Sequence, residues 1–190
     1  MASGEPAVDP ALVRAAQGGE RAAFERLFEP QRERLLRFLT VMTGDGAVAE
    51  DVAQDALRTA FEKIGQLERP EKFASWLLSI AVNRCRNRLR DDVQRAHLGD
   101  TALADIPARA RSALSSIVRR ESATRLALAI DRLPILLREA FVLFHVEGLS
   151  YAAMAELCEA SENTLQVRVH RAKALLKQQL GAVVDTWLLR

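Results

Sequence analysis

Apolar residues recur every three or four positions along nearly the whole chain, the period of amphipathic helices rather than of strands. Residues 1–8 read as a disordered tail. Asp9 is placed to cap a helix beginning near Pro10, with Leu12, Val13 and Ala16 as its stripe, and Gly18-Gly19 interrupts it. From Glu20 a longer helix carries Phe24, Leu27, Phe28, Leu35, Leu36, Phe38 and Leu39, and Pro30 is expected to bend or restart it. Thr43-Gly44-Asp45-Gly46 reads as a turn. Segment 47–64, AVAEDVAQDALRTAFEKI, stacks Val48, Val52, Ala56, Ala60 and Ile64 on one side, widened by Leu57 and Phe61. A charged loop, 65–72, leads into a fourth helix, 73–90, FASWLLSIAVNRCRNRLR.

From Asp91 to about Ser122 no stripe is sustained, and the segment reads as a tether with at most fragments of helix. Periodicity returns with Leu126, Ala127 and Ile130. Segment 133–180 predicts three short helices with two tight breaks. Pro134 suits the first helical position, where its missing N–H costs nothing. Glu147-Gly148 ends that helix and Ser150 caps the next, 151–158. Ser161 caps a third that runs to about Leu180. In the third helix Leu165, Val169, Ala172 and Leu176 fall on one side, and Asn163, Val167, His170 and Ala174 lie opposite. The predicted fold is all-α, with two small helical domains, 9–95 and 122–180, a flexible linker, 96–121, and a C-terminal tail, 181–190.

Charge sharpens this picture. The net charge of +2 is modest, so basic patches are local. Between residues 163 and 180 stand Arg168, Arg171, Lys173 and Lys177 with no acid. Two capped helices, a tight turn and one-sided charge form a helix-turn-helix pattern, whose second helix enters the DNA major groove with its first turns. The plain alternative is a helical bundle with a solvated basic face. The fourth helix is apolar in its first half and carries Arg84, Arg86, Arg88 and Arg90 in its second, with no acid from Lys72 to Arg90. Cations beside aromatic rings are what single-stranded nucleic acid requires, although Trp76 fits a core role better. The acids of segment 47–64 cluster in its first half, where the helix dipole favours them, and such a face is usually only solvated.

Other classes are less well supported. The first ten residues lack the apolar run of an export signal, and 73–82 is far too short to span a bilayer, so the chain is expected to be cytoplasmic. Cys85 and Cys158 are isolated and share no ligand spacing with His97, His145 or His170, so neither a metal nor another cofactor is expected. No paired carboxylates, nucleophile–His set or Gly-rich phosphate loop supports an enzyme. A helix-turn-helix repressor or activator is the main alternative, and it would bind duplex operator DNA without polymerase, usually as a dimer.

Three motifs stand in register: AEDVAQD at 49–55, FASWL through IAVN at 73–83, and LP through EGLSY at 133–151. Together they resemble the extracytoplasmic-function sigma factors of bacterial RNA polymerase, small members of the sigma-70 family with conserved regions 2 and 4. The resemblance implies a non-enzymatic promoter-specificity subunit. Its partners would be core RNA polymerase, through the clamp helices of the largest subunit, promoter DNA, and an anti-sigma factor, with no insertion into a membrane. It places polymerase binding on Asp51, Gln54, Asp55 and Arg58. It places recognition and opening of the minus-ten element on Arg69, Lys72, Phe73, Asn83, Arg84, Asn87 and Arg88. Reading of the minus-thirty-five element falls to Ser161, Asn163, Thr164, Gln166, Val167, Arg168, His170 and Arg171. Departures from the family pattern include Gln166, Val167 and Asn87. Glu159 stands where many members have Gly, and a left-handed backbone there would cost about 1 kcal/mol. The tail 181–190 is apolar enough to pack on a partner or on its own domain.

Overall fold

The computed structural model describes residues 8–98 and 117–181. Nearly all of the predicted tails, 1–8 and 181–190, and most of the predicted linker, 96–121, lie outside the described residues. Among those described, eight α-helices and two short 3-10 turns make up the regular structure, with no strand.

The first module opens with α1, Pro10–Gln17, whose first turn is closed by Asp9 accepting from the Ala11 amide at 2.8 Å. The Gln17 side-chain amide then donates to the carbonyls of Ile64 and Leu67, at 3.1 and 2.8 Å, fastening α1 to the loop before α4. Helix α2, Arg21–Thr43, runs through Pro30 without a break, contrary to the expected restart. Pro30 forfeits one backbone bond there, and the burial of Leu27, Phe28, Gln31 and Leu35 around it holds the helix together. Gly44, at φ 70°, ends α2 in the left-handed region. Asp45 immediately caps α3, Gly46–Lys63, by accepting from the amides of Ala47 and Val48. The 3-10 turns Ile64–Gln66 and Pro70–Lys72 lead into α4, Phe73–Leu98, eight residues longer than the periodicity of its first half predicts.

The second module comprises α5, Ile117–Asp131, α6, Ile135–His145, α7, Tyr151–Cys158, and α8, Glu162–Leu180. Pro134 is the residue before α6 rather than its first helical residue, and its carbonyl accepts from the amides of Leu137 and Arg138. Ser150 and Ser161 cap α7 and α8 through the amides of Ala153 and Thr164. Tyr151 stacks on Phe144 with ring centres 4.7 Å apart, fixing α7 against α6. The buried side of α8 is Leu165, Val169, Ala172 and Leu176, as its periodicity predicts. The modules touch: α5 and α6 pack on α2, and α7 packs on α4.

Two features of the second module lead to stability predictions. Glu159 between α7 and α8 has φ 52° and ψ 43°, the left-handed conformation that costs an L side chain roughly 1 kcal/mol. Glu159→Gly should therefore raise stability by up to about 1 kcal/mol, seen as a higher urea midpoint at unchanged m-value. His145 lies between Phe141 and Phe144, and its Nε2 has no partner among the described residues. Burial, helped by nearby Lys173, lowers its pKa from 6.5 to about 4. The unfolded chain thus takes up a proton near pH 6.5 that the folded form refuses until near pH 4. The stability from neutral His145 is complete above the first value and lost as pH falls towards the second. For this half-buried ring the loss should be about 1–2 kcal/mol. Denaturation at about pH 7.5 and about pH 5 should show it in the wild type and much less of it in His145→Gln.

Candidate nucleic-acid and polymerase interfaces

The exposed side of α8 follows from burial of the other. With Leu165, Val169, Ala172 and Leu176 in the core, residues Asn163, Gln166, Val167, His170 and Arg171 face solvent across the first turns. Val167 is 42% exposed, an apolar spot in a polar surface. Ser161 and Thr164 are exposed but engaged: the Ser161 hydroxyl accepts from the Thr164 amide at 3.2 Å and lies 2.8 Å from the Thr164 hydroxyl. They set the entry angle of the helix. Arg168 is half-buried at the flank, where its charge lies near Cys158.

Helix α4 separates residues that its sequence interleaves. Asn83, Arg84 and Asn87 are exposed at helical spacing and form one continuous polar strip. Arg88 is half-buried and pairs with Asp92, Nε to Oδ2 at 3.1 Å. Arg86 points elsewhere, into the contact with α6. Arg69 and Lys72 are exposed in the preceding loop, and Lys72 lies 3.5 Å from Glu156 of α7. Phe73 is a correction to the sequence reading. It is 0% exposed, with its ring edge-on to Phe24 and next to Trp76, at centroid distances of 6.3 and 6.2 Å. The first turn of α4 points it inward, so it supports the loop from below and presents no face to a base.

On α3, Asp51, Gln54, Asp55 and Arg58 are all exposed; Gln54 and Asp55 lie three and four residues after Asp51, and Arg58 four and three after them, so the four share one side of the helix. Arg58 and Asp55 approach to 3.8 Å. Periodicity alone does not disclose the groove beside this stripe. An open cavity of about 450 Å³ lies between α2 and α3, floored by Phe24, Phe28, Leu57 and Phe61 and edged by Gln54 and Arg58. Phe61 counts by sequence as core but is 39% exposed at the groove wall, edge-on to Phe24. The signal that could have located the groove is the excess of aromatics at 24, 28 and 61 over what one helical stripe needs.

The three surfaces do not converge on one site. Each presents donors, acceptors or apolar spots on a rigid helix, an arrangement for binding. No helix among the described residues is long and apolar enough to cross a membrane.

Comparison with known proteins agrees with this division. Residues 27–95 match Sigma-70 region 2, and residues 123–176 match Sigma-70, region 4. The chain is 34% identical over 175 residues to the ECF RNA polymerase sigma factor SigM of Mycobacterium tuberculosis, covering 91% of this chain and 85% of that protein. It is 30% identical over 184 residues to the RNA polymerase sigma-H factor of Pseudomonas aeruginosa, covering 90% and 93%. Among solved structures it resembles the sigma factor RpoE of Bartonella quintana, crystallised with the anti-sigma factor NepR. The TM-score is 0.70 at 24% identity, over 84% of this chain and 97% of that one.

Because Phe73 is core, Phe73→Ala should lower folding stability by about 3–5 kcal/mol. Thermal unfolding in the absence of any nucleic acid checks this. A DNA-contacting ring would leave the melting temperature nearly unchanged.

Proposed function

This chain belongs to the extracytoplasmic-function sigma factors of the sigma-70 family, and from that premise we propose how its surfaces share the task of promoter-directed transcription initiation. The carrying observation is the face of α8. Its buried stripe leaves Asn163, Gln166, Val167, His170 and Arg171 exposed together on the first turns, the part of a recognition helix that reaches base edges. In the minus-thirty-five duplex, Gln166 suits bidentate pairing with an adenine, Val167 suits a thymine methyl, and Arg171 suits a guanine or a phosphate. Asn163 and His170 flank them. Ser161 and Thr164 hold the helix end, and Arg168 lies at the phosphate side.

In region 2, the strip Asn83, Arg84 and Asn87 on α4, with Arg69 and Lys72 in the loop, contacts the minus-ten element and its non-template strand. Extruding a base from the stack costs a few kcal/mol, which hydrogen bonds from such amides and charge–phosphate contacts offset. With Phe73 in the core, stacking on the open strand falls to half-buried Trp76 or to no ring at all. Arg88, paired with Asp92, is a secondary contact. The α3 stripe, Asp51, Gln54, Asp55 and Arg58, docks on the clamp helices of the polymerase largest subunit, and the adjacent aromatic groove receives an apolar side chain from the same partner. An anti-sigma factor, as found with the Bartonella quintana protein, would hold the factor inactive by covering these surfaces.

Mixing the protein with core RNA polymerase and sequencing transcripts from fragmented genomic DNA tests the reading. Transcripts should start downstream of a shared two-part motif that core polymerase alone ignores. Tight operator binding by the chain alone, with no co-elution with core, would instead favour a repressor. Arg171→Ala should weaken promoter binding by about 1–3 kcal/mol and relax preference at one base pair. Equal loss on every sequence would make Arg171 a phosphate contact.

A further inference from the structure

Gln17, the last residue of α1, makes two hydrogen bonds that no proposed DNA or polymerase contact uses. Its Nε2 donates to the carbonyl of Ile64 at 3.1 Å and to that of Leu67 at 2.8 Å, partners 47 and 50 residues away in sequence. These carbonyls stand at the two ends of the first 3-10 turn, Ile64–Gln66, which is itself closed by the Leu67 amide donating to the Ile64 carbonyl at 3.0 Å. A side-chain amide carries two N–H groups on one nitrogen. One Gln therefore meets both ends of the turn at once.

The anchor sits under the loop that bears Arg69 and Lys72. Ile64 and Leu67 are buried at the start of that loop, and Phe73 is buried immediately after it. Between these fixed points Glu68, Arg69, Glu71 and Lys72 face solvent, with the second 3-10 turn at Pro70–Lys72. Helix α1 is held to the module by Val13 and Ala16 in the core, and it packs on both turns. It is thus a strut beneath the loop, with Gln17 as its fastening. Gln17 itself stands at the surface, so the carbonyls it released would pass to water, and the two bonds contribute little to global folding. Their effect falls on where the loop stands. Extruding a base from the stack is uphill, and contacts that must offset it act most strongly when they need not also order the loop that makes them.

We propose that Gln17 is a positioning residue for strand opening. Through its bonds to the Ile64 and Leu67 carbonyls it holds the 65–72 loop in the conformation that presents Arg69 and Lys72 to the minus-ten strand. It touches no nucleotide. The consequence for promoters rests on the sigma-factor reading; the fastening of the loop is a property of this chain alone.

Gln17→Met keeps the length and neutrality of the side chain and removes both donors. In the full chain, amide hydrogen exchange should become about 5–10-fold faster at Leu67 and Lys72, whose N–H groups close the two turns. The melting temperature should stay within a few degrees of wild type. Opening is then followed with core polymerase and a duplex that carries the two-part motif found by transcript sequencing, with 2-aminopurine in its minus-ten element. The fluorescence rise on unstacking should be about 10-fold slower for Gln17→Met, with occupancy of the minus-thirty-five element unchanged. On a template already melted at minus ten the defect should shrink. Opening at the wild-type rate by a variant whose loop amides exchange faster would overturn the positioning role, and unchanged exchange would overturn the fastening. An equal loss on both templates together with a lowered melting temperature would reduce Gln17 to a folding contact. If the wild type opens no promoter with core polymerase, the sigma-factor reading fails, while exchange still decides whether Gln17 holds the loop.

Discussion

The carboxylate of Glu139 has no access to water, and that constraint fixes how the two modules stand. An isolated buried charge would be expelled or neutralised, so α6 is placed where Arg86 can supply both donors. Once that register is set, neighbouring polar groups fall into place. Arg138 reaches the end of α2, and Glu147 meets Arg34. Gly44 is needed at that corner twice over: its φ of 70° favours glycine, and an added Cβ would stand 3.0 Å from Asp131 Oδ1. Both cysteines lie close to the same charges. Burial pushes the Cys85 and Cys158 thiols up to about 12, so neither is a reactive thiolate in this arrangement.

Within each module the logic is hydrophobic and local. Alanines at 49, 53, 56 and 60 let α3 approach its neighbours closely, while Phe24, Phe38 and Phe73 fill the space between α2 and α4. In the second module the side chains at 165, 169, 172 and 176 anchor α8 so firmly that its opposite face is determined by exclusion. The exposed face of α8 is thus a by-product of core packing. No specific interaction needs to orient Gln166 or Val167 outward.

That dependence explains what the sequence discloses. Caps at Asp9, Ser150 and Ser161 are legible because a capping side chain acts on an amide two or three residues away. The stripes of α3 and α8 are legible because burial follows helical period. The family is legible because its motifs are spread through both modules in fixed order. Phe73 is misplaced by sequence because an aromatic beside arginines reads alike whether its ring turns inward or outward; only Phe24, 49 residues earlier, decides. The alternating arginines of α4 look equivalent in one dimension. Partners at 92 and 139 divide them into a local pair and an inter-module pair, and long-range pairing has no periodicity to betray it.

The chemistry of the contact also bears on its strength. A buried ion pair contributes little net stability, because desolvation cancels most of its attraction, and apolar residues of similar size would often hold as well or better. Its charges, however, rehydrate when the surfaces separate, whereas an all-apolar interface would leave two adhesive patches exposed. Arg86 and Glu139 therefore give a contact that is specific in register yet readily undone. The arginine of this pair stands beside Asn83 and Asn87 on the helix proposed to meet the opened strand. Phosphate oxygens are acceptors of the same charge-assisted kind as the carboxylate that Arg86 holds, so its guanidinium suits either partner.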